Sequence, residues 1–260
     1  MTEKRKAFAE IEIPHRPGKP RESGLTMLID WGMGLDVQAD CLEIGAEYID
    51  LAKIAVGVSR LLPASLLRRK LDLYREYDVI PFPGGQFLEY SVHFGQTEAY
   101  LTAARDMGYQ WIEVSDNVLE IGLEEKADLI RLAREPFGLN VIGESGSKVT
   151  SSSAEALITD VQTCLEAGAW KVFVEAAELF DRELNTELVE SITDAVALDD
   201  LIFEVPGPWI PEVRRCDQHT LRAWLIRRFG PLVNLGNVAV EDVVSLETMR
   251  RGIGVAALRG

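Results

Sequence analysis

The sequence predicts one α/β domain, a (β/α)8 TIM barrel, and three observations carry that expectation. Short apolar runs of strand length alternate with longer helical patterns along nearly the whole chain. About eight such units recur at roughly 25–35 residues each, the period of parallel strands joined by helices. A length of 260 residues suits one such barrel, because α/β barrels run to about 250 residues as a single domain. The runner-up is an open doubly wound sheet, which calls for a glycine-rich turn after its first strand. The segment WGMGLD at 31–36 supplies only part of that pattern.

Residues 1–20 form a polar, Pro-rich lead-in, and 21–260 the barrel domain, with no linker or low-complexity break between. The strand candidates follow in order: LTMLID (25–30), YIDLAKI (48–54), VIPFP (79–83), WIEVSD (111–116), LNVIGES (139–145), KVFVEA (171–176), DLIFEV (200–205) and LVNLGN (232–237). Strict alternation of these runs with helical segments implies a parallel sheet. Helical spacing appears between them at 63–77, 94–107, 123–135, 155–167, 185–197, 217–228 and 240–252. Pro63 opens one of these helices and Gly168 closes another.

Composition removes several function classes. Acids outnumber bases by 42 to 27, a formal net charge of −15. Such a surface repels nucleic acid and anionic lipid, which leaves neither as an expected partner; a small anionic substrate stays open where a few cations converge in one pocket. No apolar run approaches the roughly 20 residues of a membrane span, and the start MTEKRKAFAE lacks the apolar stretch of a secretion signal. A cytoplasmic location is expected. Cys41, Cys164 and Cys216 are scattered and read as reduced, mostly buried thiols. The paired arginines 214/215 and 227/228, and Arg222, read as solvated outer-helix residues.

In a barrel of this type the active site lies at the C-terminal ends of the strands. Those ends carry Asp30, then Asp50 and Lys53, the PGGQFLE loop with Glu89, Glu113 with Asp116, Glu144, Glu175, Glu204, and Asn234 with Asn237. Acids at one mouth are not a packing pattern, and they repel one another unless a cation joins them or some hold protons. Oxygen ligands without His or Cys point to Mg²⁺ or a similar hard ion. The expected metal ligands are Asp30, Glu113, Glu175 and Glu204. Capping is the alternative for Asp30 and Asp116, and a turn is the alternative for Gly84 and Gly85. Trp31 follows Asp30 and faces the mouth, and His93 reads as a bystander.

At these ends the sequence resembles the phosphosulfolactate synthase family, also called the coenzyme M biosynthesis ComA family. The matching segments include RPGKPRESGLTMLID (16–30), PFPGGQFLE (81–89), IEVSDNVLEI (112–121), VIGESGSK (141–148), IFEVPGP (202–208) and LVNLGNVAVEDVVSLETMRRGI (232–253), in the family's order. The resemblance implies a TIM barrel that binds Mg²⁺ and adds sulfite to phosphoenolpyruvate, forming a C–S bond in (2R)-3-phosphosulfolactate. Relatives imply a homo-oligomer. Lys148, Glu144 and Lys53 are then the expected catalytic residues, with Lys148 as proton donor. Arg21, Trp31, Gly84, Gly85, Ser147, Asn234 and Asn237 are the expected substrate contacts.

The departures bear on substrate. The family tends to have Lys where this chain has Trp31, Lys where it has Ser147, and Arg where it has Ala177; the closing Gly-Leu-Arg-x-Asp-Thr is here apolar from Gly252 to Ala257. Three readings follow. One is the family reaction, with Arg21, Lys53 and Lys148 as the anion site. Another is a diverged enzyme with Mg²⁺-assisted enolate chemistry on a less anionic substrate. The last is a non-catalytic scaffold like the plant heat-stress-associated relatives, since fold does not fix function.

Overall fold

The computed structural model describes residues 6–147, 151–181, 183–211 and 213–255. Eight parallel strands form the sheet: β1 (Thr26–Asp30), β2 (Leu51–Ile54), β3 (Ile80–Pro83), β4 (Trp111–Val114), β5 (Asn140–Ser145), β6 (Val172–Val174), β7 (Leu201–Glu204) and β8 (Leu235–Val238). Ladders join 3-2-1-8-7-6-5-4, and β3 lies in contact with β4 across the remaining seam, so the sheet is a nearly closed barrel. The open-sheet alternative is excluded by that order. Principal helices follow the strands in turn: α1 (Leu35–Gly45), α2 (Ala64–Glu76), α3 (Thr97–Met107), α4 (Leu123–Arg134), α5 (Ala154–Glu166), α6 (Thr186–Ala195), α7 (Arg215–Phe229) and α8 (Val243–Arg250).

All eight predicted strands are present; seven lie within their predicted runs, and β8 is shifted, starting at Leu235 and ending at Val238, one residue past the run 232–237. Two helical stretches differ from expectation. The segment 94–107 becomes α3 from Thr97 onward, preceded by a separate helix, Gln86–His93, in what reads by sequence as a glycine-rich loop. The 240–252 stretch opens as a 3-10 turn at Val240–Asp242 before α8 begins. A short antiparallel hairpin, Phe180–Asp181 with Glu183–Leu184, lies between β6 and α6.

Strand alternation sorts the side chains into two cores. Outward residues such as Leu28, Ala52, Val114 and Phe203 pack beneath the helices. Inward ones, Leu25, Met27, Leu51, Phe82, Ile142, Phe173 and Ile202, fill the barrel, with the Phe82 and Phe173 rings stacked at 5.9 Å. The lead-in packs against the N-terminal end of the barrel, where buried Arg16 pairs with Glu247. Cys164 is buried, Cys41 partly so and Cys216 exposed, and all three are free thiols. Among the described residues no helix is long and apolar enough to cross a membrane.

Candidate active site

Two residues past each inward apolar residue, the same alternation sets the next layer toward the C-terminal end. From Met27, Leu51, Phe82, Trp111, Ile142, Phe173 and Ile202 it leads to Ile29, Lys53, Gly84, Glu113, Glu144, Glu175 and Glu204. A packed aliphatic interior is thus capped by a layer that is mostly charged.

Four of these residues converge. The Lys53 ammonium donates to Glu113 Oε1 and to Glu204 Oε1, each at 2.6 Å, and sits 4.5 Å above the Phe173 ring. Carboxylate oxygens of Glu113, Glu144 and Glu204 all lie within 4.8 Å of one another, and all three residues are buried. Burial disfavours the Lys53 ammonium, but Glu113, Glu204 and Glu144 outweigh it and hold its pKa well above the ordinary lysine value. Burial likewise pushes Glu113 up to about 8 against the pull of Lys53, with Glu144 and Glu204 adding to the rise. One ammonium among three buried carboxylates leaves an excess of negative charge, which a bound cation or a retained proton relieves.

This cluster floors a cavity of about 180 Å³, whose walls include Ile29, Trp31, Ala55, Gly84, Gly85, Gln86, Asn117, Trp209 and Asn237. Among the described residues lining it, Lys53 is the only lysine or arginine. Gly85 N donates to Glu113 Oε2 at 2.6 Å. A Cβ at Gly85 would stand 2.3 Å from Ser115 Oγ, so only glycine lets this backbone amide approach the carboxylate. Asn237 has φ of 54°, in the left-handed region, and its Oδ1 is buried with no hydrogen-bond partner among the described residues. Non-glycine residues held there concentrate at functional positions.

Several expected site residues lie elsewhere. Asp30 is turned outward from β1 and is fully buried. Its Oδ1 accepts from Gly32 N and Met33 N, and its Oδ2 accepts from the Tyr74 hydroxyl and pairs with Lys70, both at 2.8 Å. The capping alternative describes it; it does not join the three-carboxylate group. Glu175 belongs to the inward layer, and its Oε1 accepts from Ala177 N at 3.1 Å, outside the group of three. Arg21 and Asn234 lie at the opposite end of the barrel. Arg21 pairs with Asp50, and Asn234 Oδ1 accepts from Leu25 N while its amide donates to Leu201 O. Ser147 N donates to Glu178 at 3.0 Å, away from the lining. Lys148 lies outside the described residues.

Other side chains resolve into structural roles. Glu89 is on the Gln86–His93 helix and accepts from Ser115, Asn117, Val118 and Leu119, tying that helix to the loop after β4. Asp116 shares Lys126 with Asp160 at 2.8 Å, and burial raises its pKa to about 6, with Lys126 opposing. Arg222, expected on the solvated surface, is buried and pairs with Asp242 at 3.0 Å. Asn117 and Trp209, which line the cavity, are absent from the expected site. Their signal is positional, since each follows a strand end, in VSDN and in PGPW.

The donor set suits a hard divalent ion. Three carboxylates offer oxygen only, and among the described residues no imidazole or thiolate joins them; Lys53 bridges two of them and supplies one positive charge against three carboxylates.

Known proteins agree with this architecture. A family model described as (2R)-phospho-3-sulfolactate synthase (ComA) matches residues 14–255. The chain is 34% identical over 252 residues to the phosphosulfolactate synthase of Methanothermobacter thermautotrophicus, covering 92% of this chain and 93% of that one. It is 30% identical over 244 residues to the enzyme of that name from Methanocaldococcus jannaschii, with 89% and 92% covered. Among solved structures, 3-hexulose-6-phosphate synthase from Salmonella typhimurium superposes with a TM-score of 0.57 at 10% identity, covering 88% of this chain and 99% of that one. That likeness is one of fold.

Proposed function

Because the chain belongs to the (2R)-phospho-3-sulfolactate synthase (ComA) family, we propose that it catalyses the family's carbon–sulfur bond formation between sulfite and phosphoenolpyruvate. The observation that carries this reading is the buried group of Lys53, Glu113, Glu144 and Glu204 at the C-terminal mouth of the barrel. The product's name puts sulfur on C3 and phosphate on the C2 oxygen.

The reaction is a conjugate addition. The sulfite sulfur lone pair forms the bond to C3, and the C2=C3 electron pair moves toward the carboxylate, giving an aci-carboxylate. A proton delivered to C2 then restores the carboxylate, and no leaving group departs. The barrier lies in the charge accumulating on an already anionic substrate, so a fixed positive environment is the main contribution required of the protein. Lys53 is suited to it. Its ammonium is held protonated by two carboxylates and anchored over Phe173, so it needs little reorganisation as charge develops. Gly85 holds Glu113 in place through its backbone amide. Proton delivery to C2 is assigned to Lys148, by its residue type.

Mg²⁺ is the proposed cofactor, with Glu113, Glu144 and Glu204 as its carboxylate ligands. When bound it would supply Lewis-acid stabilisation of the charge developing on the substrate carboxylate. This revises the ligand set expected from sequence by replacing Asp30 and Glu175 with Glu144.

The test is incubation of the purified chain with phosphoenolpyruvate and sulfite, with Mg²⁺ or with chelator, followed by mass spectrometry. Metal-dependent appearance of a phosphorylated three-carbon sulfonate is expected. Failure to form a sulfonate at any metal concentration would overturn the reading.

A further inference from the structure

With its three carboxylates ionised, the floor of the catalytic cavity has little net charge to offer an anion. One ammonium and one divalent ion just offset Glu113, Glu144 and Glu204. Phosphoenolpyruvate and sulfite are both anions, and each brings a group of three oxygens on phosphorus or on sulfur. The acceptor's own carboxylate belongs with Lys53 at the floor. The three-oxygen group is left to the walls, and among the described residues lining them Lys53 is the only lysine or arginine. Arg215 lines the adjoining cavity of about 620 Å³, not this one.

The hydrogen-bond donors of those walls divide into committed and free. Gly84 N donates to Ile54 O at 2.9 Å and Gly85 N to Glu113 Oε2 at 2.6 Å, so both glycine amides are already engaged. The Asn117 side chain donates to Gly146 O at 2.9 Å. Two side-chain amides make no hydrogen bond among the described residues, those of Gln86 and Asn237. Asn237 is only 8% exposed, and an unmet amide at such depth is costly. A ligand oxygen that takes its N–H groups offsets that cost. A half-turn about the terminal torsion decides whether donor or acceptor faces the cavity.

Local structure holds both residues in place. Gln86 opens the helix Gln86–His93, which Glu89 ties to the loop after β4. Val56 shares this wall and has φ of 40°. A β-branched residue in the left-handed region is strained, and such strain concentrates at functional positions. The close approach of Val56 to the strand end before Gln86 needs glycine, since a Cβ at Gly84 would lie 2.7 Å from Val56 N. On the other side Asn237 is itself held at φ of 54° within β8.

We propose that Gln86 and Asn237 form a neutral-amide seat for the three-oxygen group, either sulfite itself or the phosphate ester of the acceptor. The inference rests on the sulfite-addition reading and names the residues that receive those oxygens. Uncharged donors suit this place. They bind an oxyanion without drawing the floor carboxylates away from Lys53, as a further lysine or arginine would. Each hydrogen bond to a charged oxygen still counts for more than one between neutral groups.

The experiment measures KM for sulfite and for phosphoenolpyruvate on the whole chain with Mg²⁺, together with calorimetric affinity for each anion and for Mg²⁺. Gln86→Met keeps the length of the side chain and removes its amide. Asn237→Gly removes the amide at a backbone position that glycine adopts freely. Both are checked for folding by circular dichroism. Each is expected to raise KM and the dissociation constant of one anion by about tenfold or more, the loss of a hydrogen bond to a charged group. Mg²⁺ affinity should stay unchanged. A shift for sulfite identifies the seat as the nucleophile's, and a shift for phosphoenolpyruvate identifies it as the phosphate's. Gln86→Glu is expected to weaken the same anion further. Unchanged affinity for both anions in both variants, or a loss that Mg²⁺ affinity follows in parallel, overturns the seat. The reaction fails separately: no sulfonate together with weakened anion binding in the variants refutes sulfite addition and retains the seat. Sulfonate formation with anion binding untouched by both substitutions does the reverse.

Discussion

Lys53 on β2 and Glu204 on β7 are separated by 151 positions in sequence and meet at 2.6 Å across the barrel mouth. Both side chains are nearly excluded from solvent, at 8% and 1% exposure, so neither is a surface ion pair of negligible strength. Lys53→Met would leave three buried carboxylates without their ammonium. Removal of one partner from a buried pair costs about 3–5 kcal/mol, and thermal unfolding should show a loss of that order. Added Mg²⁺ should recover part of it, whereas sulfonate formation should stay abolished.

Glu144→Gln keeps the shape of the cluster and removes one charged oxygen donor. Calorimetric titration with Mg²⁺ should show affinity falling by about tenfold or more, as expected when a hard cation loses a carboxylate. An unchanged affinity would place the ion elsewhere.

Asp30→Asn separates structural from ligand roles. Its carboxylate answers Lys70, Tyr74 and two backbone amides. Urea unfolding should report a loss of about 3 kcal/mol or more, because Lys70 is left buried without its counter-charge. Mg²⁺ affinity of the folded fraction should be unaltered.

Gly85→Ala introduces a methyl group against Ser115 and pushes the Gly85 amide away from Glu113. Misplacement by about 1 Å near reacting groups costs on the order of 100-fold in rate. A drop of that size in kcat/KM, with the fold retained by circular dichroism, is the expected result.

The Asp116–Lys126–Asp160 group predicts a pH dependence of stability. Burial raises the Asp116 pKa from 3.8 to about 6. The folded chain therefore holds this proton more tightly than the unfolded chain. Its contribution is favourable below pH 4 and is lost as pH rises through 6. Asp116→Asn should flatten that part of the urea-denaturation profile and leave the protein more stable at neutral pH than the unmodified chain.

The barrel and the acidic mouth are legible in the sequence because both are periodic. Eight apolar runs at regular spacing dictate parallel strands and covering helices, and acids recurring at the strand ends point to a charged mouth, although Asp30, Asp50 and Asn234 prove to be structural. Strand alternation is legible as well: counting by two from Met27 and Ile202 separates Ile29 from Asp30 and selects Glu204. Composition and position alone treat Asp30 and Glu204 as equals. The family resemblance is also carried by local motifs, from KPRESGLT to VNLGN, and needs no three-dimensional information.

Only the tertiary structure decided which charges meet. Arg21 and Lys53 are both cations near strand ends in sequence, yet one binds Asp50 at the N-terminal end of the barrel and the other bridges Glu113 and Glu204 at the mouth. The pairing of Arg222 with Asp242, and the meeting of Trp31 with Trp209, join segments that sequence spacing leaves unrelated. The physical reason is that periodicity depends on neighbours two to four residues apart and fixes the face on which a side chain lies. Contacts within a barrel mouth depend on how eight strands stagger around the ring, and that is set only when the whole sheet curls toward closure.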